Sequence, residues 1–423
     1  MMNHAWIRLL ENRFPSFPKE WRIGPLGKFL YERMEYTSNL DQYSLHSFTI
    51  EDGVTPKTER YNRDFLLRDK ENNQFRIVYP GDLVYNPMNL RFGAISLCRT
   101  KNPVTISAYY HVLRLKDSSC CPIFLEALLR SPQMLSLFDA IAIGSLNEKR
   151  RVHLSLFRAT PIPIPPLPEQ KAIAEILSTW DETIKQTRGL IDAKKRRKKF
   201  LMQQLLTGEK RLPEFAQSSR RIPYRFFDLP EDWQCPQIRK VAHECSERNG
   251  HGKKMTVLSC SKHMGFVESA QYFGKQVFSE NTSNYKVIRR GWFGYPSNHV
   301  EEGSIGLLTT HDLGIVSPIY IVFRTNTEMY PEFLYALFKT DTYRHIFKMS
   351  TNASVDRRGS LRWREFSKIQ VPLPSLKEQH HIADVLSNAD EEIKTLERKL
   401  SALEKQKWGL MQKLLTGEVR VKP

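Results

Sequence analysis

Apolar residues recur at intervals of three and four along two long stretches of the chain, Glu169–Glu209 and Glu378–Glu418. This spacing predicts an α-helix with a narrow apolar seam, the pattern of a coiled coil, and such a seam needs a partner helix in water. In the second stretch the seam is almost wholly apolar, and its positions are Ile382, Leu386, Ala389, Ile393, Leu396, Leu400, Leu403, Lys407, Leu410 and Leu414.

The two stretches are copies of each other, because they align without a gap and roughly half of the aligned positions are identical. An internal repeat of this length constrains the whole architecture. We therefore predict that the two helices pack on each other in antiparallel orientation, with a weaker seam in the middle of the first. Its matching positions are Ile173, Leu177, Trp180, Ile184, Thr187, Ile191, Lys194, Lys198, Leu201 and Leu205.

Both predicted helices carry signals at their ends. Ser375 followed by Glu378 forms a capping box, and Pro168 suits a first helical turn. Gly208 and Gly417 are expected C-terminal stops. A proline-rich segment precedes each helix, which places the helix starts close to Glu169 and Glu378.

One globular segment precedes each helix, and each begins after a similar short segment that ends in tryptophan, Phe17–Trp21 or Leu229–Trp233. The two globular segments are loosely related. Aromatic and β-branched content predicts a pair of matching strands, and apolar spacing predicts a pair of matching short helices. The strands are Ser107–Arg114 and Ser317–Arg324, and the helices are Phe124–Arg130 and Phe333–Lys339.

Two stretches of the globular segments do not follow this pattern. Glu51–Asn73 finds no clear match in Asn249–Asn284, which suggests that the two segments carry unlike loops. The linker Lys210–Leu229 is charged and contains prolines, so we expect it to be irregular and exposed.

The sequence therefore predicts an α+β fold, in which two globular mixed α/β domains are separated by two long antiparallel helices forming a coiled coil. The internal repeat predicts a pseudo-twofold relation between the two halves. The expected boundaries are 1–160 for the first globular domain, 161–209 for the first long helix, 210–368 for the linker and second globular domain, and 369–423 for the second long helix and tail.

Charge narrows the class of partner. A net charge of +18 and a pI near 9.6 favour a polyanion, and nucleic acid is favoured over a membrane because no window approaches the length of an apolar membrane span. The apolar run at the N-terminus is too short for a signal peptide. Six cysteines without a CxxC pattern favour reduced thiols and a cytoplasmic protein.

Catalytic motifs are not evident. Asn86-Pro-Met-Asn89 resembles the Asn-Pro-Pro-aromatic loop of adenine methyltransferases but lacks its second proline and its aromatic residue, and the chain has no phosphate-binding GxxxxGK[ST] loop. We expect neither catalysis nor a bound metal. The potential metal ligands His243, Cys245, His251, Cys260 and His263 fit no familiar zinc spacing.

Basic and amide side chains cluster in the loops of the globular segments. Arginine and asparagine make the bidentate contacts that distinguish bases in the major groove. The candidate DNA contacts are Arg60, Arg63, Arg91, Arg150, Arg151, Asn298, His299, Arg357, Arg358 and Arg362. The basic run Lys194–Lys199 has two interpretations, a solvated helical face and a phosphate or partner contact.

The doubled motifs resemble the conserved regions of specificity subunits from type I restriction–modification systems. The similarity lies in the proline-rich lead into Glu-Gln, the Ile-Ala-x-x-Leu turn and the Leu-Leu-Thr-Gly ending. These motifs stand at Pro166–Gln170, Ile173–Leu177 and Leu205–Gly208, and again at Leu376–Gln379, Ile382–Leu386 and Leu414–Gly417. The resemblance extends over the whole architecture.

The resemblance implies a non-catalytic subunit whose two target-recognition domains each recognise one half of a bipartite sequence in double-stranded DNA. The paired helices would set the spacing and recruit two adenine methyltransferase subunits, to which ATP-dependent restriction subunits add. S-adenosylmethionine, ATP and magnesium would belong to those partners. The residues expected to contact partner subunits are Glu169, Gln170, Ile173, Leu177, Glu378, Gln379, Ile382 and Leu386.

Other interpretations remain open from the sequence. A specificity partner of a fused, type IIB-like restriction–methylation enzyme would show the same pattern. A coiled-coil scaffold that binds no DNA, or a nucleic-acid enzyme with an unfamiliar site, belongs to a different class. Sequence-specific retention of duplex DNA, without methylation or cleavage by the chain alone, separates the first interpretation from these two.

Overall fold

A computed structural model of the chain describes residues 12–14, 18–56, 74–146, 149–216, 219–250, 254–262, 264–298, 300–351 and 360–422. The chain forms two compact units. The first comprises Met1–Arg188 and Arg398–Pro423, and the second comprises Gly189–Glu397. Both long helices contribute to both units.

Among its described residues, the first unit contains eleven strands and three short α-helices before the first long helix. The strands are β1 (Arg22–Pro25), β2 (Leu30–Glu32), β3 (Tyr36–Thr37), β4 (His46–Thr49), β5 (Gly53–Pro56), β6 (Phe75–Val78), β7 (Leu83–Tyr85), β8 (Ile95–Leu97), β9 (Val104–Ser107), β10 (His111–Leu115) and β11 (Pro161–Ile164). The helices are α1 (Pro122–Leu129), α2 (Pro132–Ile141), α3 (Leu154–Ala159) and the long α4 (Leu167–Leu206).

An antiparallel four-stranded sheet in the order β2-β10-β7-β8 forms the centre of the first unit. Its apolar face packs against α1, α2 and the start of α4 to form the main core, which Leu414 at the end of the second long helix and Leu415 just after it complete. A second sheet, β3-β6-β9, and the hairpin β4–β5 form a smaller core. The proline-rich segment is strand β11, which pairs with β1.

The second unit repeats this arrangement. Its strands are β12 (Arg221–Pro223), β13 (Asp228–Pro230), β14 (Ala242–Glu244), β15 (Leu258–Ser261), β16 (Gly265–Glu268), β17 (Lys286–Arg289), β18 (Phe293–Pro296), β19 (Gly306–Leu307), β20 (Leu313–Val316) and β21 (Tyr320–Thr325). Its helices are α5 (Ile238–Val241), α6 (Ser269–Phe273), α7 (Pro331–Phe338), α8 (Asp341–Ser350), α9 (Trp363–Phe366) and the long α10 (Leu376–Leu414).

The central sheet of the second unit, β14-β21-β18-β19, has the same order and antiparallel pairing as its counterpart. Positive-φ glycines recur at matching turns of the two units. Gly53 and Gly265 have φ values of 66° and 68°, and Gly93 and Gly303 have φ values of 93° and 91°. A residue with a Cβ is strained in this region, so these turns specify the shared scaffold.

The repeated glycine at the hairpin turn corrects one expectation from the sequence. Glu51–Asn73 and Asn249–Asn284 do share an element, because hairpin β4–β5 matches hairpin β15–β16. Residues 57–73 lie outside the described part of the chain. In the second unit, α6 follows the matching hairpin.

The predicted strand boundaries were also wrong by a few residues. Ser107 ends β9, and a turn in which the Tyr110 N–H donates to the Ser107 carbonyl precedes β10. Ser317 and Tyr320 form the matching turn before β21. The linker is not wholly irregular either, because β12 and β13 pair within it and Leu229 is fully buried.

Within each unit the two long helices pack antiparallel along the predicted seam, whose positions are all buried or half-buried. In the first unit Lys407 binds Asp181 at 2.5 Å, and Arg188 binds Glu404 at 2.6 Å. Residue numbers therefore fall along α10 as they rise along α4.

The basic run lies in the second unit, where its lysines pair with acidic residues. Lys195 binds Glu397 at 2.7 Å and Lys198 binds Asp390 at 2.6 Å. Lys194 pairs with Glu392, and Lys199 with Asp341. These contacts assign the lysines of the run a role in helix pairing and in packing against α8.

The predicted helix ends are confirmed. Gly208 and Gly417 follow the last helical turns with φ values of 63° and 76°, and the Glu378 N–H donates to the Ser375 hydroxyl at 3.3 Å. The capping box is incomplete, however, because the Glu378 carboxylate binds Arg211 and Trp233. No helix among the described residues is long and apolar enough to cross a membrane.

Candidate nucleic-acid interface

A tight turn after β7 carries the first group of candidate DNA contacts. The Asn86 side-chain oxygen accepts from the Met88 N–H at 3.0 Å, which fixes the start of the turn. Leu90–Phe92 then form one turn of 3-10 helix that packs on α2. The Val152 N–H donates to the Pro87 carbonyl, so the segment before α3 is held against this turn.

This arrangement brings Arg91, Arg150 and Arg151 of the first unit together. The Asp139 carboxylate at the end of α2 accepts from Arg91 Nη1 at 3.1 Å and from Arg150 Nη1 at 3.3 Å. The backbone of Arg151 pairs with that of Ile143 in an isolated bridge. Arg91 and Arg150 therefore share one carboxylate, although they are separated by almost sixty positions in the sequence, and Arg151 is held near them through its backbone.

The Arg91 side chain is only 9% exposed, whereas its partner Asp139 is 52% exposed. The Arg91 guanidinium stacks on the ring of Phe92 at 4.3 Å, and Phe92 is 55% exposed. The sequence interpretation missed this ring. Phe92 is therefore the exposed side chain of this turn, whereas Arg91 is nearly buried beneath it and Arg150 is only 25% exposed.

In the second unit Asn298 and Arg362 lie in the corresponding turn region, where they stand at the places of Met88 and His153. Asn298 lies in the turn after β18, and Arg362 is the exposed residue before α9. The Leu361 N–H donates to the Ser297 carbonyl, which joins the two segments as Val152 and Pro87 are joined in the first unit. Arg60, Arg63, His299, Arg357 and Arg358 lie outside the described residues.

A second cluster, the first junction, surrounds the start of α4. The buried Glu169 carboxylate accepts from Trp21 Nε1 at 3.2 Å and from Arg420 Nε and Nη2 at 2.7 and 2.9 Å. The neighbouring Gln170 accepts from the Cys121 N–H at 2.7 Å and donates to the Pro165 carbonyl at 2.9 Å. Glu169 thus holds the tryptophan segment, and Gln170 holds the start of α1.

The second junction repeats these contacts at the start of α10. The Glu378 carboxylate accepts from Trp233 Nε1 at 3.1 Å and from Arg211 Nε and Nη2 at 2.9 and 2.8 Å. Gln379 accepts from the Tyr330 N–H at 2.7 Å at the start of α7. The two arginines occupy the same place after the Leu-Leu-Thr-Gly endings, and the sequence interpretation missed both.

The residues expected to contact partner subunits are therefore buried, and they make their contacts within their own unit. Glu169, Gln170, Glu378 and Gln379 are at most 3% exposed. The apolar members lie in the two main cores, Ile173 and Leu177 in the first and Ile382 and Leu386 in the second. A direct contact with another protein would require these side chains to move, so their geometry favours a role in joining each globular domain to its helix.

The described residues offer no metal site, because no three His, Cys, Asp or Glu side chains among them are placed to hold an ion. His251 and His263, two of the five potential ligands in the sequence, lie outside the described residues. Burial raises the pKa of the Cys260 thiol to about 11, which keeps that thiol protonated.

The chain is similar to known proteins over nearly its whole length. A family model described as the type I restriction modification DNA specificity domain matches residues 65–194 and again residues 281–405. The type I restriction enzyme MjaVIII specificity subunit of Methanocaldococcus jannaschii is 25% identical over 96% of this chain and 94% of its own length. The putative MjaX specificity subunit of the same organism is 23% identical, over 96% and 95%.

The fold has a similar counterpart among solved structures. The S subunit of a type I restriction–modification system from M. genitalium superposes with a TM-score of 0.56 at 16% identity, covering 94% of this chain and 97% of that one. Because the DNA specificity domain matches twice and spans more than half of the sequence, the chain belongs to the type I restriction–modification DNA specificity family.

Proposed function

We propose that this chain is the sequence-specific DNA-binding subunit of a type I restriction–modification complex, and that each globular domain recognises one half of a bipartite duplex target. The observation that carries the proposal is the duplicated scaffold with unlike exposed turns. Phe92 in the first unit stands where the second unit has Glu302, and His153 stands where the second unit has Arg362. Different side chains at equivalent positions suit two different half-sites.

The proposal extends to the partners. Two adenine methyltransferase subunits would assemble on this chain, and ATP-dependent restriction subunits would join them. S-adenosylmethionine, ATP and magnesium would be bound by those subunits, and the chain itself would carry out no chemistry. A cytoplasmic location follows from a DNA substrate that the complex must reach.

A domain exchange tests the proposal. Residues 21–160 are replaced by the corresponding domain of another family member, and adenine methylation is mapped across the genome of cells that carry the whole complex. We expect one half of the methylated sequence to change and the other half to stay. A change in both halves, or in neither, would contradict independent recognition by the two domains.

A second experiment tests whether the chain binds DNA without catalysing methyl transfer. The purified chain, incubated with S-adenosylmethionine and duplex DNA, is expected to retain the DNA but to transfer no methyl group above background. Methyl transfer that persists when the active site of any contaminating methyltransferase is inactivated would contradict a non-catalytic role.

A further inference from the structure

Each junction joins three distant parts of the chain. The tryptophan lies in the segment that leads into a globular domain, and the glutamate lies in the first turn of the long helix that follows that domain. The arginine lies just beyond the end of the other long helix. The first junction therefore brings together Trp21, Glu169 and Arg420, which span almost the whole sequence.

The chemistry of the junction requires this particular arginine. A carboxylate that is 3% exposed, as Glu169 is, or 1% exposed, as Glu378 is, needs both charge and hydrogen bonds from its neighbours. In each junction the arginine supplies two parallel N–H donors and the tryptophan supplies a third. Lysine carries the same charge but cannot reproduce the planar pair of donors.

The helix end beside each arginine approaches the tryptophan segment closely. A Cβ built on Gly208 would lie 2.6 Å from Pro230 Cγ and 3.2 Å from the Trp233 ring. A Cβ on Gly417 would overlap Pro18 in the same way. The contact between helix end and tryptophan segment is thus tight, and the arginine–glutamate pair fixes it in place.

We propose that Arg420 and Arg211 are positioning residues for DNA recognition. Each holds one recognition domain in a fixed orientation on the helix that follows it, and neither contacts DNA. Loss of one arginine therefore impairs discrimination at the half-site of its own domain and leaves the other half-site unaffected. This inference rests on the proposed function, since it presupposes two separately recognised half-sites.

The two junctions differ in their access to solvent. The Arg420 side chain is 41% exposed and also binds the exposed Glu20, whereas the Arg211 side chain is 7% exposed and also binds Asp232. Salt screens exposed pairs more than buried ones. The second junction should therefore depend more strongly on its arginine, and the first should be more sensitive to ionic strength.

The test uses the whole complex with its partner subunits and the domain assignment from the exchange experiment. Arg420→Gln and Arg211→Gln are each compared with Arg188→Gln, which removes an exposed interhelical pair outside both junctions. Affinity is measured for duplexes with the cognate target, a mutated first half-site or a mutated second half-site. All measurements are made well below the melting temperature of each variant.

We expect Arg420→Gln to reduce discrimination at the first half-site about tenfold or more, with the second unchanged, and Arg211→Gln to do the reverse. Arg420→Lys should fail to restore discrimination. Equal loss at both half-sites, full rescue by lysine, or a lower melting temperature with unchanged discrimination would overturn the inference.

A second variant covers the case in which a single substitution prevents folding. In the double variant Glu169→Gln with Arg420→Gln the buried charge is removed, but an acceptor for Trp21 remains. It should fold and still lose discrimination at the first half-site. Retained discrimination would overturn the inference. If the unmodified complex shows no preference for either half-site, the proposed function fails instead, so the two failures are distinguishable.

Discussion

The two recognition domains share one strand order but differ in the ionisable groups that they bury. On α1 of the first unit, Glu126 is 6% exposed and accepts from Ser96 Oγ at 2.9 Å, from the Leu97 N–H at 3.0 Å and from Arg99 Nη2 at 2.5 Å. The aligned position on α7 of the second unit is Tyr335, and burial raises the pKa of its hydroxyl to about 12.

A second difference concerns a cluster of ionisable side chains that joins the two sheets of the first unit. Glu32 accepts from Arg76 at 2.6 Å and pairs with His111 at 2.8 Å. In the second unit Ile321 occupies the β-ladder position of His111. Lys286 occupies that of Arg76 and donates to the Tyr320 carbonyl at 2.6 Å. Burial lowers the pKa of Lys286.

The comparison shows which features specify the scaffold. Apolar core positions, positive-φ glycines and the buried glutamates of the two junctions recur in both units, whereas the carboxylates of Glu32 and Glu126 do not. The fold therefore depends on packing and turn geometry, and the two domains use different side chains to pair the polar groups that they bury. The first unit relies on ionised groups whose contribution depends on pH, and the predictions below test that contrast.

The largest effect is expected where the two units are alike. Gly417→Ala should destabilise the first unit, and Gly208→Ala the second, each by about 2–5 kcal/mol, because the new Cβ is strained at positive φ and overlaps a proline. Hydrogen exchange, followed in individual peptides, measures the stability of each unit separately.

Two mid-helix glycines provide matched controls. Gly409 and Gly189 have nothing within 4 Å of a built Cβ. Alanine at either position should stabilise the helix by about 0.5–1 kcal/mol. If all four substitutions destabilise the protein equally, positive φ and close contact at the junction glycines do not explain the effect.

The next largest effect separates the units. Glu126→Ala should destabilise the first unit by about 2–3 kcal/mol, because the Leu97 N–H and the Ser96 hydroxyl lose their buried acceptor. Tyr335→Phe should change the second by less than about 1 kcal/mol. Denaturant unfolding followed by hydrogen exchange measures both. Equal effects would remove the contrast between the two interiors.

Much of this architecture follows from local signals. The seam positions, the glycine stops and the two short helices α1 and α7 were predicted because apolar spacing and φ preferences act over a few residues. The paired tryptophans were also visible as a repeat. The sequence does not show which residues each tryptophan contacts. Trp21 lies beside Glu169 and Arg420 only because the two long helices run antiparallel.

For the candidate DNA contacts, the sequence indicated residue types but not the environment of each side chain. Arg91 and Arg150 were identified by residue type, but their common partner Asp139 is an ordinary helical residue in the sequence. Exposure depends on such partners, so Arg91 is nearly buried while its neighbour Phe92 is exposed. Composition cannot distinguish an arginine that meets solvent from one that supports a turn.

Acid should affect the first unit more than the second. Burial opposes ionisation of Glu126, but its hydrogen bonds, chiefly from Arg99, lower its pKa below the usual value of 4.5. Glu32 behaves similarly, since His111 and Arg76 outweigh its burial and lower its pKa. A carboxylate with a lowered pKa stabilises the fold above its ordinary value, and this stabilisation is lost as the pH falls through the folded pKa.

Hydrogen exchange at neutral pH and below pH 4.5 should therefore show the first unit opening more readily in acid. Glu126→Gln should be less stable at neutral pH but should flatten this dependence. An equal acid response of the two units, or one unaffected by Glu126→Gln, would contradict the assignment.

The smallest expected effect concerns the ion pairs between the long helices. Lys195 and Glu397 are 53% and 47% exposed, so their pair should contribute about 0.2–1 kcal/mol and weaken with salt. Lys198 and Asp390 are 24% and 47% exposed, and the ammonium binds both carboxylate oxygens, so this pair should contribute more. Double-mutant cycles on the two pairs at low and high salt measure the coupling directly. If both coupling energies are near zero at low salt, these pairs do not stabilise the pairing of the helices, and the role of the basic run must lie in contact with another molecule.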